Sequence, residues 1–194
     1  MPIDFRKILF YNWAKITDFF ILRQTSITIE DYPSMLFAEV EIPGPRKQAI
    51  REGFKILANY IFGNNISVKI CEKTTSPKDE FSEKIAMTAP VIQEKHDNHW
   101  KVRFSMPKKY TLETLPRPCS KKIHIVSYPP KKFAVIRFSG FMNDKNIEQR
   151  TLELRTYILS KKFKPIGEVI LAFYNPPWTL PFLRRNEILI EIQT

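Results

Sequence analysis

The sequence predicts an α+β domain: two β-β-α-β-β units forming a distorted antiparallel eight-stranded barrel with two covering helices. Three observations point there. Residues 27–44 (ITIEDYPSMLFAEVEIPG) align without a gap on residues 123–140 (IHIVSYPPKKFAVIRFSG), at an offset of 96 that carries Gly44 onto Gly140. The same offset carries Ile27 onto Ile123, Tyr32-Pro33 onto Tyr128-Pro129, and Phe37-Ala38 onto Phe133-Ala134. Each copy reads as a strand, a Tyr-Pro turn, a strand and a Gly exit, then an apolar pattern of helical period and two further strands. A sheet covered by one helix is half exposed. Pairing two such sheets closes a barrel and removes exposed edges.

The N-terminal segment, residues 1–25, stands apart. Residues 8–14 (ILFYNWA) follow Arg6-Lys7, but Lys15 and Asp18 interrupt the apolar run. A spanning helix needs about 18–20 apolar residues, so this stretch is too short. Leu9, Trp13, Ile16 and Phe20 recur at helical spacing. The segment is expected to be a helix packed on the domain. The alternatives are a peripheral membrane contact, which a basic start and an aromatic apolar face suit, and a degenerate targeting segment.

The first repeat is expected over about residues 27–106. Its second strand is the alternating stretch 36–42. Pro45 opens the first helix, and Ala49, Ile50, Phe54, Leu57, Ala58 and Ile61 form its apolar face. Gly63 and Asn64 end it. Residues 68–72 or 84–92 follow as a strand, then residues 100–106. Residues 107–121 (PKKYTLETLPRPCSK) hold three prolines and read as a connector. The second repeat, about 123–192, has its second strand at 133–138. Asn143 and Asp144 are cap candidates for its helix, and Ile147, Leu152, Leu154, Tyr157 and Ile158 are its apolar residues. Lys161, Lys162 and Lys164 cluster at the helix end, where cations suit the dipole. Strands at 168–174 and 187–192 complete it. Neither half buries enough surface alone, so residues 26–194 are expected to form a single domain.

Composition narrows the function. The chain has 194 residues, 43% hydrophobic and 26% charged, as an ordinary globular protein does. Its five glycines all lie more than six positions apart, which excludes G-x-G-x-x-G and Walker A phosphate loops. The two cysteines, Cys71 and Cys119, form no C-x-x-C and suggest a reducing, cytoplasmic setting. The net charge of +11 is compatible with nucleic acid, an anionic membrane, an acidic ligand or plain solubility. Its basic residues fall in scattered pairs such as Lys108-Lys109 and Lys131-Lys132, with no recognition motif, which argues against nucleic acid.

Catalytic signatures do not occur. His96 and His99 flank Asp97-Asn98, which reads as a hairpin turn rather than half a metal site. His124 reads as a solvated strand residue. Glu52 and Glu148 share one repeat position on the two helices and would be an acid–base pair only if they flanked one cleft. No catalytic residue and no metal site is expected. Residues 171–185 (LAFYNPPWTLPFLRR) are different in kind. Phe173, Tyr174, Trp178 and Phe182 alternate with Pro176, Pro177 and Pro181. Such a stiff loop presents flat rings to a planar ligand or plugs the barrel end. Arg184 and Arg185 beside it would pair with ligand carboxylates or with internal acids.

Three stretches resemble the SOUL haem-binding family. Residues 84–91 (KIAMTAPV) look like its M-T-x-P-V motif. Residues 174–192 (YNPPWTLPFLRRNEILIEI) look like its Y-x-P-P…R-R-N-E signature. Residues 49–63 (AIREGFKILANYIFG) are similar to its first helix. The resemblance implies the two-repeat barrel, of the SOUL or GyrI-like effector-binding type. It also implies non-enzymatic binding of haem or another tetrapyrrole, in buffering or transport, in a shallow apolar cleft beside the first helix. By this resemblance Arg51 meets a propionate, and Phe54 and Ala58 meet the macrocycle. Trp178 and Phe182 of the aromatic loop complete the expected ligand-binding set. Asn59 stands where some members carry a lysine, and no histidine matches a proposed axial ligand, so the expected binding mode is hydrophobic plus propionate contacts, with five-coordinate or no iron ligation. The rival readings are an enzyme or effector-binding module for another acidic amphiphile, and a membrane or partner-interaction module. Oligomeric state is open.

Overall fold

The computed structural model describes residues 25–68 and 82–193. The expected N-terminal helix and most of the 68–72 strand lie outside these residues. The elements are β1 (Ser26–Tyr32), β2 (Met35–Pro43), α1 (Arg46–Ile61), β3 (Asn65–Ile66), β4 (Val91–His96) and β5 (His99–Ser105). After them come β6 (Arg117–Pro118), β7 (His124–Tyr128), β8 (Lys131–Phe138), α2 (Asp144–Ser160), β9 (Lys164–Phe173) and β10 (Asn186–Gln193). Eight strands form one antiparallel sheet in the order β1-β8-β10-β9-β4-β5-β2-β7, and β3 pairs with β6. The sheet curls into a half-barrel with α1 and α2 on one face. The distorted barrel expected from the sequence takes this open form, with β1 and β7 at its ends.

Exchanging β1, β2, β4 and β5 with β7, β8, β9 and β10 reproduces the strand order. β1 and β2 follow each other in the chain but do not pair. Instead β1 runs against β8, with Ser26 opposite Arg137 and Tyr32 opposite Lys131, and β7 runs against β2, with Tyr128 opposite Met35. Each half thus lends its first strand to the other.

Period-two alternation sets the two faces. Ala38, Val40 and Ile42 of β2 and Val102 and Phe104 of β5 pack under Leu57, Tyr60 and Ile61 of α1. Ala134, Ile136 and Phe138 of β8 and Ile188, Ile190 and Ile192 of β10 pack under Leu154 and Ile158 of α2. Trp100 packs against both clusters. A third buried cluster, Phe133, Val135, Ala172 and Leu189, lies on the opposite face.

Local chemistry sets the ends of elements. Asn143 caps α2 by accepting from the Asn146 N–H at 2.8 Å. α1 has Pro45 at its start and no side-chain cap. Asp97, at φ +52°, turns the two-residue hairpin between β4 and β5.

Two expectations need correction. The apolar face of α1 is rotated: Gly53, not Phe54, faces the sheet, and Phe54 stays 39% exposed. A Cβ at position 53 would lie 2.7 Å from Val102 Cγ2, so only glycine lets the helix sit this close. Residues 84–90 are not strand. The ladder starts at Val91, opposite Phe104, because Pro90 has no N–H to donate. The connector proves well packed. Tyr110 and Leu115 are buried, and the Tyr60 hydroxyl donates to the Pro116 carbonyl at 2.7 Å.

Candidate functional site

The five residues singled out in the sequence lie on two exposed surfaces. Arg51 is exposed on α1, and Ala58 is half-buried one helical turn beyond Phe54. Phe54 rests edge-on against Phe104, ring centres 5.2 Å apart, and keeps its other side in solvent. The chain after residue 82 crosses from the end of α1, where the Ile85 N–H donates to Ile61, to the end of β5, where the Thr88 hydroxyl donates to Ser105. Met87 is exposed on that path. The result is a shallow apolar surface with a cation beside it. α1 carries no His, Cys or Met.

Trp178 and Phe182 project from the β9–β10 loop at 82% and 61% exposure. The loop is tied to the start of the α2 connection, where the Gly140 N–H donates to Pro181. Its two arginines are engaged within the protein. Arg184 donates to the carbonyls of Thr179 at 2.8 Å and Pro177 at 2.6 Å, closing the loop on itself. Arg185 pairs with Glu187 at 2.8 Å and stacks on Tyr174, 4.0 Å from the ring centre. These contacts supply the internal pairing that sequence left as one of two options.

A cavity of about 210 Å³ opens on the sheet face opposite the helices, and all eight strands line it. Two carboxylates beneath it are held firmly. Glu39 accepts from Arg103 and from the Tyr128 hydroxyl at 3.0 Å. Glu187, fully buried, accepts from Arg137 at 2.8 Å and from the Tyr174 hydroxyl at 2.7 Å. Burial alone would raise the Glu39 carboxyl, but the hydrogen bond and charge of Arg103 outweigh it and hold the group below its usual range. Burial likewise opposes the Arg103 charge, yet Glu94 at 2.6 Å and Glu39 hold it on. Burial is the main cause that pushes Tyr32 and Tyr128 up to about 12, and it raises Tyr174 as well, so all three stay protonated.

None of Arg51, Phe54, Ala58, Trp178 and Phe182 lines this cavity. A more open groove of about 410 Å³ runs beside α2, with Trp100, Leu152 and Arg155 on its walls. Glu148 lies in that groove, whereas Glu52 is on α1, 3.7 Å from Lys122. The two acids therefore sit apart, over separate halves of the sheet. His96 meets Glu41 at 3.0 Å beside the β4–β5 hairpin. Among the described residues no three His, Cys, Asp or Glu side chains cluster as metal ligands. Among them, too, no helix is long and apolar enough to cross a membrane.

Sequence reasoning passed over the ring-lined cavity, its half-buried Glu39 and its buried Glu187. One signal was present: Leu36, Phe37 and Ala38 are apolar in succession, which marks a strand covered on both faces.

A family model described as "SOUL heme-binding protein" matches residues 16–191. Among solved structures, the C-terminal domain of EcmrR is similar with a TM-score of 0.64 at 10% identity, over 88% of this chain and 98% of that one. A hydrolase from Listeria innocua is similar with a TM-score of 0.57 at 11% identity, over 87% and 92%. At such identities the likeness is one of fold, the GyrI-like effector-binding type. No curated protein matches the chain.

Proposed function

The chain belongs to the SOUL heme-binding protein family, and from that premise we propose that it binds haem or another tetrapyrrole without catalysing its conversion, in buffering or transport. The observation that carries this is the exposed apolar surface of α1. An aromatic ring left 39% exposed costs solvation that a flat ligand removes. Phe54 and Ala58 would take one face of the macrocycle, and the exposed Arg51 would pair with a propionate. With no His, Cys or Met on α1, ring and carboxylate contacts supply the affinity. Trp178 and Phe182 form a second exposed ring surface for the same planar ligand.

The test is a haem titration of the full chain followed at the Soret band. Saturation at low micromolar haem is expected, and at least tenfold weaker binding for Arg51→Glu with Phe54→Asp. Metal-free protoporphyrin should bind about as tightly as haem. Absence of saturation overturns the ligand. Unchanged binding in the double variant moves the site off α1. A large preference for haem over the free porphyrin overturns binding without an iron ligand.

A further inference from the structure

The cavity opposite the helices is built from the positions that the duplication pairs. The offset of 96 relates Tyr32 to Tyr128, Pro33 to Pro129 and Phe37 to Phe133, and all six line the cavity. Strand exchange crosses them. Tyr32 meets Phe133 edge-on with ring centres 5.3 Å apart, and Phe37 meets Tyr128 at 5.5 Å, with interplanar angles of 82° and 88°. Two equivalent ring pairs, one composed of each half's tyrosine and the other's phenylalanine, thus contribute to the walls of one space. Ile92, Ile170, Ala172 and Leu189 add aliphatic surface.

The charges there differ from those of the molecule. The chain carries +11, yet the cavity lining sets Glu94, Glu168 and Glu191 against Lys101, Arg103 and Lys131. Glu191 is paired with Lys131 at 2.6 Å, and Arg103 with Glu94 and Glu39. Among the described residues Lys101 and Glu168 are in no ion pair, one of each sign. The hydroxyls of Tyr128 and Tyr174 already donate to Glu39 and Glu187. An incoming carboxylate therefore meets three acids and a single unpaired cation, Lys101, which the unpaired Glu168 offsets. Most of what is left for a ligand is ring surface and aliphatic wall. Ring faces favour flat partners and attract positive charge. A space of about 210 Å³ takes one or two fused rings and cannot enclose a macrocycle.

We propose that this cavity is a second ligand site, distinct from the α1 surface, for a small planar aromatic molecule of one or two rings that bears no acidic group. Its occupant differs from a tetrapyrrole in size and in charge. Binding there leaves the helix face uncovered, so one chain can hold both ligands.

The experiment titrates the full chain with indole, N-methylquinolinium and indole-3-carboxylate, followed by amide chemical shifts. Indole and N-methylquinolinium are expected to bind saturably, with shifts on β2, β8 and β9, and the carboxylate at least tenfold more weakly. Ala172→Phe fills the cavity from its floor and should weaken both probes at least tenfold while haem binding at the Soret band is unchanged. Ile92→Trp, on the half-buried wall, does the same if the first variant does not fold. No saturation by either non-acidic probe, equal binding of the carboxylate, or shifts away from the cavity overturns the proposal. Loss of haem and probe together in the filled variants overturns the separation of the sites. Probe binding without haem binding sustains this site and refutes only the tetrapyrrole reading.

Discussion

Gly53 offers a quantitative test of how α1 meets the sheet. An added Cβ would lie 2.7 Å from Val102 Cγ2, 3.0 Å from Val102 Cβ and 3.1 Å from Val40 Cγ2. Ordinary carbon contacts begin near 3.5 Å. Val40 and Val102 are fully buried under α1, and neither can withdraw into solvent. Such overpacking costs about 1–3 kcal/mol. Alanine gains about 1 kcal/mol over glycine in a helix interior. Gly53→Ala is thus expected to destabilise by roughly 1 kcal/mol. Val102→Ala deletes the nearest methyl and, on its own, costs about 2–3 kcal/mol in lost burial and cavity. In that background the 2.7 Å contact is gone while those at 3.0 Å to the remaining Cβ and 3.1 Å to Val40 persist, so Gly53→Ala should lose most of its cost. Urea unfolding of the four proteins in this cycle reads the coupling, expected at about 1 kcal/mol. If Gly53→Ala costs the same in both backgrounds, the helix is not held at this distance by residue 53 and the reasoning fails.

Glu39 gives a pH dependence. Its folded carboxyl titrates below its ordinary value of 4.5, so it stabilises the protein above that value and ceases to do so as pH falls through the folded one. Melting temperature should drop below about pH 4, and Glu39→Gln should flatten that drop; an unchanged acid limb in the variant would refute the assignment. Asn143→Ala removes the cap of α2 and should cost about 1 kcal/mol by urea unfolding. Asn143→Asp, which keeps an acceptor at the positive helix end, should retain most of it; a cap whose loss costs nothing would place the helix start elsewhere.

Much of the fold is legible because it is written locally. Gly44 and Gly140 both adopt positive φ, +102° and +106°, at the exits of their strands, and Asn143 caps as its side chain suggests. The register of partners is not written locally. Ile27 and Ile29 fit any apolar neighbour, and only the whole sheet decides that β8 takes them rather than β2. The phase of α1 misleads for a related reason. Phe54 has the stronger apolar signal, but the space above Val102 admits no side chain, so the residue without one turns inward. Of the candidate surfaces, the aromatic loop stands out in sequence by its own rings and prolines, whereas Arg51, Phe54 and Ala58 are marked only by the family resemblance. The cavity does not stand out, since Tyr32 and Tyr128 read as turn residues and Phe37 and Phe133 as ordinary strand core. Glu39, half-buried, and Glu187, fully buried, find their partners on other strands, which no local pattern reveals.

The exchange of first strands sets a timetable for synthesis. β1 has one ladder, to β8, about a hundred residues later in the chain. At roughly 5–20 residues per second, a ribosome exposes β1 for about 5–20 s before its partner exists. During that wait an apolar strand stands open to any passing edge. Glu30 and Asp31 lie within it, charges that discourage such pairing until Phe133 and Lys132 arrive opposite them. Folding is therefore expected to be late and nearly all at once, with the first half committed only when the second has been made.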